Sequence, residues 1–123
     1  MCPTILLVED DDTVRELAAD ALSMLGAHVI ACQNADVALR ELERHTPVNL
    51  VLTDIRMPGQ LDGLQLANLV AKRWPHLPII VTSGNRMDDD LLPPHATFLA
   101  KPWTLETLYQ HVQARLPNNP YNE

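Results

Sequence analysis

The 123-residue sequence predicts a single α/β domain in which five parallel strands alternate with helices, and three observations carry that reading. Short aliphatic runs recur along the chain: Ile5-Leu6-Leu7-Val8, Val29-Ile30-Ala31, Leu50-Val51-Leu52-Thr53, Ile79-Ile80-Val81-Thr82 and Phe98-Leu99-Ala100. Each is too short for a helix and is bounded by polar residues, as buried parallel strands are. Between them, apolar residues recur at helical spacing. Four of the runs also end in chemistry-bearing residues: Glu9-Asp10-Asp11-Asp12, Asp54, Ser83-Gly84 and Lys101-Pro102. In an open parallel sheet the strand C-termini share one edge, and ligands sit there.

After the first strand, Val14, Leu17, Ala18, Ala21, Leu22 and Leu25 predict one apolar helix face, closed by Gly26 as a C-terminal cap. Asn34 is placed to cap the second helix, with Ala35, Ala38, Leu39 and Leu42 inward and Arg40, Glu41, Glu43 and Arg44 in water. A loop follows Asp54 through Pro58-Gly59 to Asp62-Gly63. Leu64, Ala67, Val70 and Trp74 mark a third helix that must stop before Pro75. Residues 84–96 have to hold a fourth helix and both its connections, and Pro93-Pro94 limits that helix to at most two turns. Thr104 opens a last helix with Leu105, Leu108, Tyr109, Val112 and Leu116 inward. The domain covers 1–123, with a core of about 4–116 and a tail at 117–123.

Composition narrows the function classes. A net charge of −7 disfavours nonspecific binding to nucleic acid or an anionic membrane. No apolar run is long enough for a membrane helix, and residues 1–8 are too short and strand-like for a secretory signal. Two cysteines form neither a disulfide framework nor a metal-type spacing, so a reducing cytoplasm is expected. His28, His45, His76, His95 and His111 have no ligand spacing. Asp88-Asp89-Asp90 reads as the solvated start of the short helix.

The converging residues define a chemistry. At a separation of ~5 Å and an effective dielectric of ~20, each pair of ionised carboxylates repels by roughly 3 kcal/mol. Lys101 and one divalent cation together would neutralise Glu9, Asp10 and Asp54. Hard oxygen donors on a partly open edge suit Mg²⁺ (or Mn²⁺), which keeps several waters and commonly holds a phosphate. Asp54, alone at its strand end, is the natural nucleophile on phosphorus. Glu9 and Asp10 are placed to hold metal, and Lys101 and Ser83 to bind phosphoryl oxygens.

Val8-Glu9-Asp10-Asp11, Asp54-Ile55-Arg56-Met57-Pro58-Gly59, Asp62-Gly63, Thr82-Ser83-Gly84 and Phe98-Leu99-Ala100-Lys101-Pro102 together resemble the receiver domain of two-component response regulators, over roughly residues 4–116. The resemblance implies a flavodoxin-like (βα)5 three-layer sandwich with sheet order 2-1-3-4-5. It implies that a histidine kinase or histidine phosphotransfer protein donates a phosphoryl group to Asp54. Asp10 would ligate Mg²⁺ directly and Glu9 through water, with Asp54 and the backbone carbonyl of Arg56 as further ligands. Ser83 would be the switch hydroxyl, Phe98 the switch aromatic and Lys101-Pro102 a cis peptide. Arg56, Gly84 and Asn85 would border access to the phosphoryl group.

Three departures stand out: an extra residue between Asp54 and Asp62-Gly63, Gly84 where alanine is common, and the shortened fourth helix. They are similar to receivers that stand alone or end hybrid histidine kinases. A truncated fourth helix leaves little to dimerise through, so a monomer is expected.

Other classes fit less well. A phosphohydrolase working through an aspartyl phosphate would need a second Asp two residues after the nucleophile, where Arg56 stands. At most slow self-phosphorylation from small donors and slow self-dephosphorylation are expected. A flavin or nucleotide carrier would need a phosphate loop after the first strand, and none is present. A phosphorylation-independent scaffold would not require the acid, hydroxyl and lysine set.

Overall fold

A computed structural model describes residues 2–55, 61–84 and 92–116. The aliphatic runs form the strands β1 (Thr4–Val8), β2 (His28–Cys32), β3 (Leu50–Asp54), β4 (Ile79–Ser83) and β5 (Ala96–Ala100). They pair in parallel in the order β2-β1-β3-β4-β5, as expected for a doubly wound sheet. The helices are α1 (Asp12–Met24), α2 (Ala35–Glu43), α3 (Gly63–Arg73) and α4 (Leu105–Arg115), α4 being the last helix of the sequence reading.

Alternation along the strands splits the core into two layers. Leu6, Val8, Val51, Ile79 and Val81 pack against α2 and α3 through Ala38, Leu42, Leu66 and Val70. Ile5, Leu7, Leu52, Ile80 and Leu99 pack against α1 and α4 through Ala18, Leu22, Leu108 and Val112. That division decides which strand-end side chains can meet.

The helix ends follow local chemistry. Asn34 accepts from the backbone N–H of Val37 at 2.8 Å, and Thr104 accepts from that of Thr107 at 3.1 Å. Gly26 follows the α1 C-cap with φ +87°, a conformation that favours glycine. Asp62 caps α3 in a reciprocal box: it accepts from Gln65 N–H while the Gln65 side chain accepts from Asp62 N–H. The Lys101–Pro102 peptide is cis.

Two apolar assignments are corrected. Leu17 and Leu105 were expected inward, yet they are 61% and 53% exposed. Leu17 lies at the margin of the α1 stripe, whose centre is taken by Ala18, Ala21 and Leu22. Leu105 is the first residue of α4, outside the turn that packs on the sheet. Cys2 is exposed and Cys32 buried, both as free thiols; burial pushes the Cys32 thiol up to about 11. The short helix expected within 84–96 and ending by about Leu92 lies largely outside the described residues, and β5 begins directly after a turn at Pro94-His95.

Candidate functional site

Strand register builds the site. Val8 pairs with Thr53, and Asp54 pairs with Thr82. By the alternation that sends Leu7, Leu52, Ile80 and Leu99 to the α1–α4 layer, Glu9, Asp54, Thr82 and Lys101 fall on that same face at the strand C-termini. The lysine reaches across β4 to the acids. Its Nζ donates to Asp54 Oδ2 at 2.8 Å and to Glu9 Oε1 at 3.1 Å. Glu9 and Asp54 are only 4% and 9% exposed. Asp10 is open to solvent, and its carboxylate completes a trio with Glu9 and Asp54 whose ligand oxygens lie within 4.8 Å of one another.

Local hydrogen bonds fix this geometry. Asp11 caps α1 by accepting from Val14 N–H at 2.9 Å, while its own N–H donates to Glu9 Oε2 at 3.1 Å. Arg15 reaches back from α1 to the Glu9 carbonyl at 3.0 Å and so holds the bend between strand and helix. Gly63 N–H donates to the Ile55 carbonyl at 2.8 Å, which ties the start of α3 to the residue after Asp54.

The charges interact strongly. Burial pushes the Glu9 carboxyl above its ordinary value, against the Asp11 N–H and the Lys101 ammonium, and the Asp54 charge adds to the rise. Burial alone would pull Lys101 down, but its hydrogen bonds and charge pairing with Asp54, then Glu9, outweigh that and raise it. One ammonium thus faces three carboxylates, and the hard oxygen donors suit a divalent cation. The acidic cluster is capable of binding a divalent metal.

Ser83 is buried at the end of β4, in register with Ala100. Phe98 pairs with Val81, so it shares a face with Ser83, and it is half-buried. Gly84 is exposed, and a Cβ built there would meet no atom of the described residues within 4 Å. Arg56 and Asn85 lie outside the described residues. In the sequence Thr82 ends a strand and opens the Thr82-Ser83-Gly84 motif, with no role of its own; the strand register makes it the neighbour of Asp54. A cleft of about 810 Å³, lined in part by His45, Trp74 and His76, opens at the opposite edge of the sheet, away from the acids.

Residues 5–113 match the response regulator receiver domain. The chain belongs to that family. The receiver is 34% identical to the response regulator protein FleR of Pseudomonas aeruginosa over 97% of this chain, but over only 26% of FleR. It is 32% identical to the sensor protein TorS of Escherichia coli over 71% of this chain and 9% of that protein. The chain therefore spans about a quarter or less of these curated relatives. Among solved structures, a receiver protein of Sinorhizobium medicae WSM419 superposes with a TM-score of 0.85 at 27% identity, covering 96% of this chain and 97% of that one. The receiver of the hybrid histidine kinase CckA superposes at 0.78 with 32% identity, covering 92% and 98%. The family is one of two-component signalling modules rather than of enzymes.

Proposed function

We propose that this receiver is a Mg²⁺-dependent phosphoacceptor whose acceptor is Asp54, with a histidine kinase or histidine phosphotransfer protein as donor. The observation that carries the reading is the double engagement of Lys101 by Asp54 and Glu9 within reach of a third carboxylate. A carboxylate held this way is aligned for attack. One Asp54 oxygen attacks phosphorus, the bond from phosphorus to the donor nitrogen breaks, and the electron pair stays on the imidazole. Lys101 then follows the new negative charge onto a phosphoryl oxygen.

Glu9, Asp10 and Asp54 would hold the cation, with the Arg56 carbonyl as the family resemblance implies; the bound cation would screen charge between carboxylate and phosphoryl group. Ser83 is the proposed switch hydroxyl and Phe98 the aromatic that responds to it, supported by their common face. Gly84 leaves the mouth of the site open to donor and water, with Arg56 and Asn85 as its other proposed borders.

Leu17 and Met24, seven residues apart on α1, are exposed apolar side chains on the helix that starts at the site. They support docking of the donor along α1. No helix among the described residues is long and apolar enough to cross a membrane. The two free thiols support a cytoplasmic setting.

Acetyl phosphate with Mg²⁺ tests the acceptor. The protein should gain one phosphoryl group that hydroxylamine removes, chelation should prevent this, and Asp54→Asn should abolish it. Labelling that survives in Asp54→Asn would move the chemistry elsewhere.

A further inference from the structure

The Arg15 guanidinium divides between two acceptors beside the acidic cluster. One nitrogen donates to Asp12 Oδ1 at 2.6 Å and the other to the Glu9 carbonyl at 3.0 Å. The Asp12 side chain is 88% exposed, and an ion pair that open contributes little to stability. The bond to the carbonyl is the informative one. Glu9 N–H still donates to the Cys32 carbonyl at 3.0 Å, but β2 ends at Cys32. The Glu9 carbonyl therefore stands past the last rung of that ladder. Arg15 supplies the donor that a longer strand would have supplied.

That carbonyl belongs to the rigid peptide plane joining Glu9 to Asp10. The following plane, joining Asp10 to Asp11, is held by the Asp11 N–H, which donates to Glu9 Oε2 at 3.1 Å. Asp10 thus has a held peptide plane on each side, and together they set its φ and ψ and the direction of its Cα–Cβ bond. Asp10 is also the exposed member of the acidic trio, with an oxygen within 4.8 Å of those of Glu9 and Asp54. Like charges at that range push it toward solvent. We propose that Arg15 is a positioning residue for the cation site: by pinning the Glu9–Asp10 peptide it keeps the Asp10 carboxylate beside Glu9 and Asp54 against their repulsion. This deepens the phosphoacceptor reading and rests on its assignment of these three acids to a divalent cation. Charge alone argues the opposite sign. A guanidinium near the acids repels a cation, so removing it would tighten binding if Arg15 acted only through its field. Removing a positioning donor loosens binding.

Arg15→Met keeps the apolar stem and removes both donor and charge. Mn²⁺ binding, followed by the electron spin resonance of the free ion with Mg²⁺ as competitor, reads the site without any phosphoryl transfer. At a temperature where circular dichroism shows the proteins folded, Arg15→Met should bind both cations roughly tenfold more weakly, the lower end of what losing a supporting hydrogen bond around a metal costs. Asp12→Ala leaves the bond to the Glu9 carbonyl in place and should weaken binding only about twofold. The double variant Arg15→Met with Asp12→Ala keeps the net charge of wild type and should bind as weakly as Arg15→Met. If the double variant binds as tightly as wild type, Arg15 is a surface cation and the proposal falls. Arg15→Gln, whose shorter amide cannot span both acceptors, takes the place of methionine if that variant does not fold. If wild type binds neither cation, the metal assignment fails and this inference with it. If wild type binds the cation yet gains no phosphoryl group from acetyl phosphate, the acceptor reading fails while the role of Arg15 is decided by the binding data.

Discussion

A Cβ on Gly63 would press into the main chain of Asp54 and lie 2.9 Å from the Ile55 Cα, with only backbone to yield. Alanine at a helix start would otherwise gain up to about 1 kcal/mol over glycine. Here the clash with an immobile strand end outweighs that gain, since overpacking costs about 1–3 kcal/mol and backbone yields poorly. Gly63→Ala should therefore lower unfolding free energy by about 2 kcal/mol in urea titration and slow Asp54 phosphorylation by shifting β3. The Glu9 carboxyl gives a second residue-scale outcome. Because burial raises its value in the folded protein, the fold binds that proton more tightly than the unfolded chain does. The resulting stability is full below the unfolded value of 4.5 and is lost as pH rises through the higher folded value. Glu9→Gln should then raise the metal-free melting temperature at pH 7 relative to wild type, with the difference closing in acid. Mg²⁺ should reverse the order, since it stabilises wild type more; thermal melts over pH with and without Mg²⁺ check both. Strand-end acids and Lys101 were legible because charges at the end of aliphatic runs are conspicuous. Gly63 was legible as a motif but not as a contact, because close approach of two backbones leaves no trace in either segment alone. Thr82 stands in the Thr82-Ser83-Gly84 motif, but a threonine ending a strand is ordinary until its register partner is known.

Elements were readable where a stripe of apolar residues was wide and capped. Asn34, Thr104 and the Asp62 box mark helix starts that side-chain chemistry dictates, and Gly26 marks an end that positive φ requires. Helical periodicity was less sharp at the stripe margins: it counted Leu17 and Leu105 inward, while Leu66, fully buried in the layer under α3, was not singled out. A period of 3.6 names a face but not the neighbour that covers its borders. The Asp62 cap has a functional lever, since the helix it starts abuts Ile55, one residue past Asp54. Asp62→Ala removes one half of a reciprocal pair and should cost about 1 kcal/mol in a chemical denaturation curve. Asp62→Asn keeps an acceptor and should recover most of it. If alanine matches wild type, the capping box is dispensable and α3 is held by its core contacts alone.

At the scale of the whole molecule, β4 and β5 both end at the acidic edge, and the connection between these strands bounds what the molecule can assemble. β4 ends at Ser83 and β5 begins at Ala96, so a dozen residues, two of them Pro93 and Pro94, must make the whole crossover. Proline cannot continue a helix, which leaves at most two turns before Leu92. An activated homodimer through the face formed by this crossover, β5 and α4 would need on the order of 1,200 Å² of buried surface or more. A crossover of that length carrying two adjacent prolines offers little of the regular, extended apolar surface that such an interface requires. Of the exposed apolar side chains, Leu105 stands alone at the start of α4, while Leu17 and Met24 both lie on α1, the helix that starts at the acids. The receiver should therefore be monomeric both unmodified and with a phosphoryl mimic bound in the presence of Mg²⁺. Light scattering at tens of micromolar should give one unchanged molar mass in the two states. Replacing Leu17 and Met24 by serine should leave that mass and acetyl phosphate labelling unaltered while slowing transfer from a phosphorylated histidine donor. A clean dimer with the mimic would instead show that the shortened crossover suffices as an assembly face and that output runs through self-association.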